Sequence, residues 1–389
     1  MTELTVHSRP SEAHDPPCIA SHNSFPRLLN LTTNGLILLH ARSFFRPLLK
    51  TLHLKAFTGS ASIWRDLLEA LAQLACLESL MIESKFQDIP NGVRHCTDAV
   101  LDHPVGLPKL RFLRTDCGEV GWKTALLLNN LDFPTHTRLH ISYNQVAAAE
   151  SMVRGHSASE ERSALSRTLS SKLSRRSQSR TDALSIQTLH ILADDHIDGI
   201  CNVEGWEALC PPDILCRSGP FAFADWKSLP SSSPPPAITL QSCVDSIFAH
   251  FDELDAFRHV EALKLTSGPM QRVRAGIANL PVHSVFGLLS NVRTLSVKGW
   301  LARNVLDAMN PANTGELMLP SVKTLHIQTF KFGLAESGLP LSRVLQRRAE
   351  IGHRLEKLVL SDCMGVKGSE LEALRQDVEV VWDGRWLQG

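Results

Sequence analysis

The sequence predicts an α/β solenoid in which a curved parallel sheet forms the concave face and helices lie outside. Three observations carry that expectation. A short phrase returns along the chain: an aliphatic residue, two variable positions, leucine, one variable position, then another aliphatic. The second half of each phrase alternates apolar and polar residues, the pattern of a strand with one buried and one wet face. Between the phrases lie stretches with apolar residues spaced along one helix face.

Taken in order, clear copies stand at Leu49, Leu52 and Leu54, at Leu77, Leu80 and Ile82, at Ile186, Leu189 and Ile191, and at Val260, Leu263 and Leu265. Three more follow at Val292, Leu295 and Val297, at Val322, Leu325 and Ile327, and at Leu355, Leu358 and Leu360. Weaker copies lie at Leu110, Leu113 and Thr115, and around Leu139 and Ile141. Trp64, Leu67, Leu68, Leu71 and Leu74 define one helix face, and Ile247, Phe248, Phe251 and Leu254 another. Ser369 with Glu372 reads as a capping box before Leu371 and Leu374. Residues 378–382 read as a last strand which, with the turn at Asp383 and Gly384 and with Trp386, closes the array.

The unit is therefore strand, loop, helix, loop, about every 25–35 residues, which makes a leucine-rich-repeat-like solenoid. Strand–helix alternation also admits a doubly wound sheet, but its central strands are covered on both faces and read as continuous apolar runs. Here Thr51, His53, Lys55, Ser79, Glu83, Lys264, Thr266, Ser296, Lys298, His326 and Gln328 occupy the alternate positions, so one face is expected to be wet.

Composition narrows the function. With 40 Lys+Arg against 40 Asp+Glu, the chain lacks the net charge that draws a protein to nucleic acid or an anionic membrane. The most apolar run, residues 35–45, carries His40 and Arg42 and is about half the ~20 residues needed to span a bilayer. The first 24 residues show no secretory pattern and are expected to be disordered. The nine cysteines form no close pair, which fits reduced thiols in a cytoplasmic or nuclear protein. Cys201, Cys210 and Cys216 lack zinc-ligand spacing, and the sequon at Asn30 reads as chance.

Organisation follows from these signals. Residues 25–155 carry the N-terminal units, and residues 183–389 the C-terminal units, with a Pro/Ser-rich loop near 229–236 and a closing cap. Residues 156–182, rich in Ser and Arg and poor in large apolar side chains, are expected to be a disordered insertion. Ser170 and Ser177 within it follow basic residues and are candidate phosphorylation sites.

The chain resembles the leucine-rich-repeat regions of fungal F-box proteins. The residues that carry the resemblance are VGLPKLRFL at 105–113, LLLNNLDFP at 126–134 before Leu139 and Ile141, LEKLVLSDC at 355–363 and VEVVWDG at 378–384. The resemblance implies repeats that hold a protein for ubiquitination, and a Skp1-like adaptor gripped by an N-terminal F-box. No F-box opening of the form Leu-Pro-x-Glu is found before Leu28.

Catalytic signals are absent from the sequence: it holds no G-x-S-x-G elbow, no phosphate-binding glycine loop and no dinucleotide fingerprint. Asp194, Asp195, His196 and Asp198 match no metal-ligand spacing and read as a strand-exit loop. No catalytic residue, metal or cofactor is expected. The partner surface is expected on the wet strand positions, where successive strands stack side chains into columns: Thr51, His53, Lys55, Glu83, Arg114, His140, His190, Lys264, Lys298 and His326. Histidines in that set would make the surface pH-sensitive. Two rival readings stay open: an α/β enzyme with its site at strand ends near Asp116, Asp194 and Asp362, and a decayed scaffold with no partner.

Overall fold

The computed structural model describes residues 2–7, 26–34, 44–56, 61–83, 101, 103–116, 121–134, 136–142, 165, 167–169, 171–172, 186–193, 200–209, 236–243, 257–267, 282–310, 317–332, 341–366 and 368–384. It is a mixed α/β chain with mainly parallel strands, and it divides into two compact units, Met1–Ala183 with Ala237–Ser242, and Leu184–Pro236 with Cys243–Gly389.

In the first unit the strands β1 (Glu3–His7), β2 (Asn30–Asn34), β3 (Thr51–Lys55), β4 (Ser79–Glu83), β6 (Phe112–Asp116) and β8 (Arg138–Ser142) lie side by side in chain order, all parallel, with β11 (Ile238–Cys243) beside β8. A separate pair joins β5 (Val105–Gly106) to β7 (Leu131–Asp132). Helices α1 (Ala61–Leu71) and α2 (Gly121–Asn130) follow β3 and β6. Alternation places Leu52 and Leu54 of β3 in the core, at 0% and 2% exposure, while Thr51, His53 and Lys55 stay half-buried. Trp64, Leu67, Leu68 and Leu71 of α1 are fully buried, as their helical spacing requires.

In the second unit β9 (Thr188–Ala193), β12 (Ala262–Ser267), β13 (Thr294–Lys298), β14 (Thr324–Gln328), β15 (Lys357–Ser361) and β16 (Glu379–Trp382) are parallel and again in chain order. Strand β10 (Ile200–Trp206) folds back antiparallel on β9. Helices α3 (Val282–Leu288), α4 (Leu301–Met309), α5 (Leu341–Glu350) and α6 (Gly368–Asp377) neighbour one another in chain order. Every clear phrase of the sequence falls on a strand, because leucines two residues apart must face the same side.

The phrases also recur as geometry. Before β4, β6, β12, β13 and β14 the same one-turn bend returns, with Leu77 N–H donating to Leu74 O, Leu110 to Leu107, Val260 to Phe257, Val292 to Leu289 and Val322 to Leu319. Both residues of each bend are buried. One carbonyl then receives two N–H groups from the next strand: Lys50 O takes Glu78 and Ser79, and Glu261 O takes Arg293 and Thr294. Directly after β3, β13, β14 and β15 the backbone turns left-handed, at Ala56 (φ 50°), Gly299 (φ 80°), Thr329 (φ 52°) and Asp362 (φ 50°). Gly299 suits this conformation; the other three carry its steric cost.

Three expectations are corrected. Residues 3–7, inside the segment expected to be disordered, form β1, in which Leu4 and Val6 alternate against Leu31 and Thr33 of β2. Composition conceals this strand because main-chain bonding to β2 orders it. Within the insertion expected to be disordered, residues 165, 167–169 and 171–172 have helical backbone. Leu165 and Leu169 are fully buried, Thr168 Oγ1 accepts from Asn129 Nδ2 at 3.0 Å, and Lys172 Nζ donates to Leu131 O. The few leucines sit one helical turn apart, enough to seat the segment. Third, Ser369 lies inside α6, and the carboxylate that caps a helix here is Glu370, whose Oε1 accepts from Leu341 N–H at the start of α5, 3.1 Å away. The helix face at Ile247 to Leu254, the loop near 229–236, Trp386 and the cysteine trio's side chains fall outside the described residues.

Candidate functional site

The in-register parallel pairing turns each polar strand face into rows. In the first unit the central row runs Thr5, Thr32, His53, Met81, Arg114, His140. The row toward the strand ends holds Lys55, Glu83 and Asp116, and the opposite row Thr51, Ser79, Phe112 and Arg138. Of the expected residues, Thr51, His53, Lys55, Glu83, Arg114 and His140 are therefore brought onto one half-buried face. Alternation that buries the leucines of each phrase puts these side chains together.

Charge on this face is arranged, not scattered. His53 Nε2 and Glu83 Oε1 are 2.9 Å apart, and that hydrogen bond, aided by the attraction of His53, Arg114 and Lys55, holds the Glu83 carboxyl below its usual range despite burial. His140 is pushed down to about 4, chiefly by burial and further by Arg114 beside it in the row.

In the second unit the central row is Glu204, His190, Lys264, Ser296, His326, Val359, Val381. Lys298 lies in the adjoining row with Thr266, Gln328 and Ser361. The expected wetness is corrected for four members: His190, Lys264 and Ser296 are 2% exposed and His326 7%. A mid-strand side chain is hemmed by two ladder neighbours about 4.8 Å away and by its own strand's residues two positions off. Residues at the strand ends, such as Lys298 and Gln328, remain half-buried.

Burial is met by hydrogen bonding. His190 Nδ1 lies 3.3 Å from Glu204 Oε2 and Nε2 3.0 Å from Thr266 Oγ1. Burial lowers the His190 pKa against the pull of Glu204, so the ring is neutral near pH 7. A neutral ring has one donor, so Nδ1–H donates to the carboxylate and Nε2 accepts from the Thr266 hydroxyl. His326 Nε2 is 2.9 Å from Ser361 Oγ. Ser296 Oγ, between Lys264 and His326, is buried and has no hydrogen-bond partner among the described residues.

Burial lowers the pKa of His140, to about 4, and that of His190, which works against a change of charge at these two rings near neutral pH. For His140 a stability prediction follows. Between pH 6.5 and about 4 the unfolded chain takes a proton that the folded chain refuses, so stability falls as pH falls through that window. At about 1.4 kcal/mol per pH unit this amounts to at most about 3 kcal/mol. Urea midpoints measured from pH 7 to 4 should drop in the wild type and drop less in His140→Gln. Equal slopes for the two chains would refute this account.

Glu204 and Arg138 belong to these faces and were not foreseen. Arg138 was discoverable by aligning its phrase with Thr51, whose row it shares; Glu204 lies on an antiparallel strand outside the phrase pattern and gave no signal. Ser170, Ser177 and the cluster from Asp194 to Asp198 lie outside the described residues. Asp116 ends β6 and Asp362 follows β15 in the other unit. Among the described residues no three His, Cys, Asp or Glu groups are placed to hold a metal ion, and no helix is long and apolar enough to cross a membrane. Compared with known proteins, the chain matches no family model and no curated protein.

Proposed function

We propose that this chain is a non-enzymatic leucine-rich-repeat-like solenoid whose polar strand face binds another protein, similar to the substrate-recognition region of an F-box ubiquitin-ligase receptor. One observation carries the reading. Within each unit the parallel strands follow chain order in one-to-one register, so equivalent positions such as Thr32, His53, Met81, Arg114 and His140 form continuous rows of mixed polar side chains. Recurring bends before the strands and left-handed residues after them support a repeated structural unit. An enzyme of the doubly wound type would use a reversal of strand order, where a crevice opens. Neither unit has such a reversal among its described parallel strands.

Affinity capture of the tagged chain from its native cells tests the reading. Lys55→Glu and Lys298→Glu alter the polar faces, whereas Arg65→Glu, on an exposed position of α1, serves as control. Proteins captured by the wild type and the control should be lost with the face variants. Retention across all variants would refute the surface assignment. Recovery of a Skp1-like adaptor with a cullin would add the ligase role that the resemblance implies. Point substitutions suit this test better than deletion of residues 156–182, since Leu165 and Leu169 are part of the core.

A further inference from the structure

Three neighbouring strands of the second unit line up an acid, a base and a hydroxyl. Strand β10 brings Glu204 opposite His190 on β9, and β12 brings Lys264 beside His190 and Thr266 diagonally from it on the same face. His190 Nδ1 lies 3.3 Å from Glu204 Oε2, and His190 Nε2 lies 3.0 Å from Thr266 Oγ1. The imidazole is fully buried whereas Thr266 is half-buried, so the base is sheltered while the residue that carries the hydroxyl keeps access to solvent.

The order acid, base, hydroxyl matters chemically. A neutral ring that gives Nδ1–H to a carboxylate turns the lone pair of Nε2 toward the Thr266 hydroxyl, whose proton points at it. A hydroxyl within reach of a base that is itself oriented by a third group is the arrangement that makes an oxygen nucleophilic. The carboxylate also stabilises the imidazolium that forms as the proton moves. Lys264, buried and in register with His190, adds a positive charge beside the ring, the sign that favours negative charge growing on an attacked carbonyl oxygen.

We propose that Thr266 is a modification site, an activated hydroxyl that accepts one acyl group from an activated ester or a thioester. Thr266 Oγ1 bonds the acyl carbon, the carbon–sulfur bond of the thioester breaks, and the hydroxyl proton passes to His190 Nε2 and from there to the departing thiolate. The products are a threonine ester on the polar face and a free thiol, with no oxidation or reduction. The transfer occurs once per chain, so it neither rests on the protein-binding reading nor conflicts with it.

The test treats the full chain with p-nitrophenyl acetate at neutral pH and locates acetyl groups over time by peptide mass spectrometry. Wild type should gain an acetyl ester on Thr266 that alkaline hydroxylamine removes. Thr266→Ser, with a less hindered hydroxyl, should gain it faster. His190→Gln should slow labelling of Thr266 at least about a hundredfold, the usual contribution of a general base. Glu204→Gln, which keeps the side-chain shape, should slow it about tenfold or more. Acetylation of Lys298, the register neighbour of Thr266, measures reagent access and should be alike in every chain, which exposes a variant that fails to fold. If wild-type Thr266 stays unmodified while Lys298 is acetylated, or if His190→Gln or Glu204→Gln labels as fast as wild type, the assignment is overturned.

Discussion

Replacing Arg348 with alanine is expected to destabilise the chain by about 3 kcal/mol. Arg348, on α5, is completely buried, and its two terminal nitrogens donate to Met318 O and Leu319 O at 2.9 Å each. Those carbonyls flank the bend from Leu319, itself left-handed at φ 51°, that leads into β14. The guanidinium therefore fixes a turn that the sequence there does not favour. Its burial is costly, as its pKa, lowered to about 10 by desolvation, shows. That cost partly offsets the two charge-assisted bonds. Arg348→Met, which keeps the stem and sheds the charge, should lose only about 1–2 kcal/mol. Urea denaturation of the two variants checks both values. An Arg348→Ala loss below about 1 kcal/mol would mean that the clamp is dispensable.

A comparable effect is expected for Gly365→Ala. Gly365 has φ +74°, and a Cβ there would lie 2.2 Å from Phe332 O and 3.0 Å from Phe332 C. Both are backbone atoms in a segment tied down by Phe332 N–H to Met364 O and Met364 N–H to Phe330 O. They cannot swing aside as a side chain would. The left-handed conformation costs about 1 kcal/mol for alanine, and the clash about 1–3 more. Gly352→Ala is the matched control: φ is +87° but nothing lies within 4 Å of its added Cβ. It should lose only about 1 kcal/mol. Thermal or urea midpoints that rank the two alike would show that the loop at Gly365 yields.

Much of the fold was legible in the sequence. The phrase with aliphatics around a central leucine located β3, β4, β6, β8, β9 and β12 to β15, because strand period and burial act within a few residues. The strands β1, β2, β10 and β11 and the short pair β5 and β7 were not legible, since main-chain pairing with distant segments orders them and leaves little trace in side-chain pattern. The same applies to Leu165 and Leu169, whose docking depends on a surface that other residues build.

The candidate face shows the same division. The sequence by itself determined which side chains share a side of the sheet: Thr51, His53 and Lys55 alternate with Leu52 and Leu54, and no local rearrangement changes that. Tertiary structure alone decided what those side chains became. Register set His53 one strand from Glu83, placed Arg114 beside a neutral His140, and buried His190 and Lys264 while leaving Lys298 partly open. Alternation is a property of neighbouring bonds along the chain, whereas charge, protonation and access to water depend on residues brought close from far away.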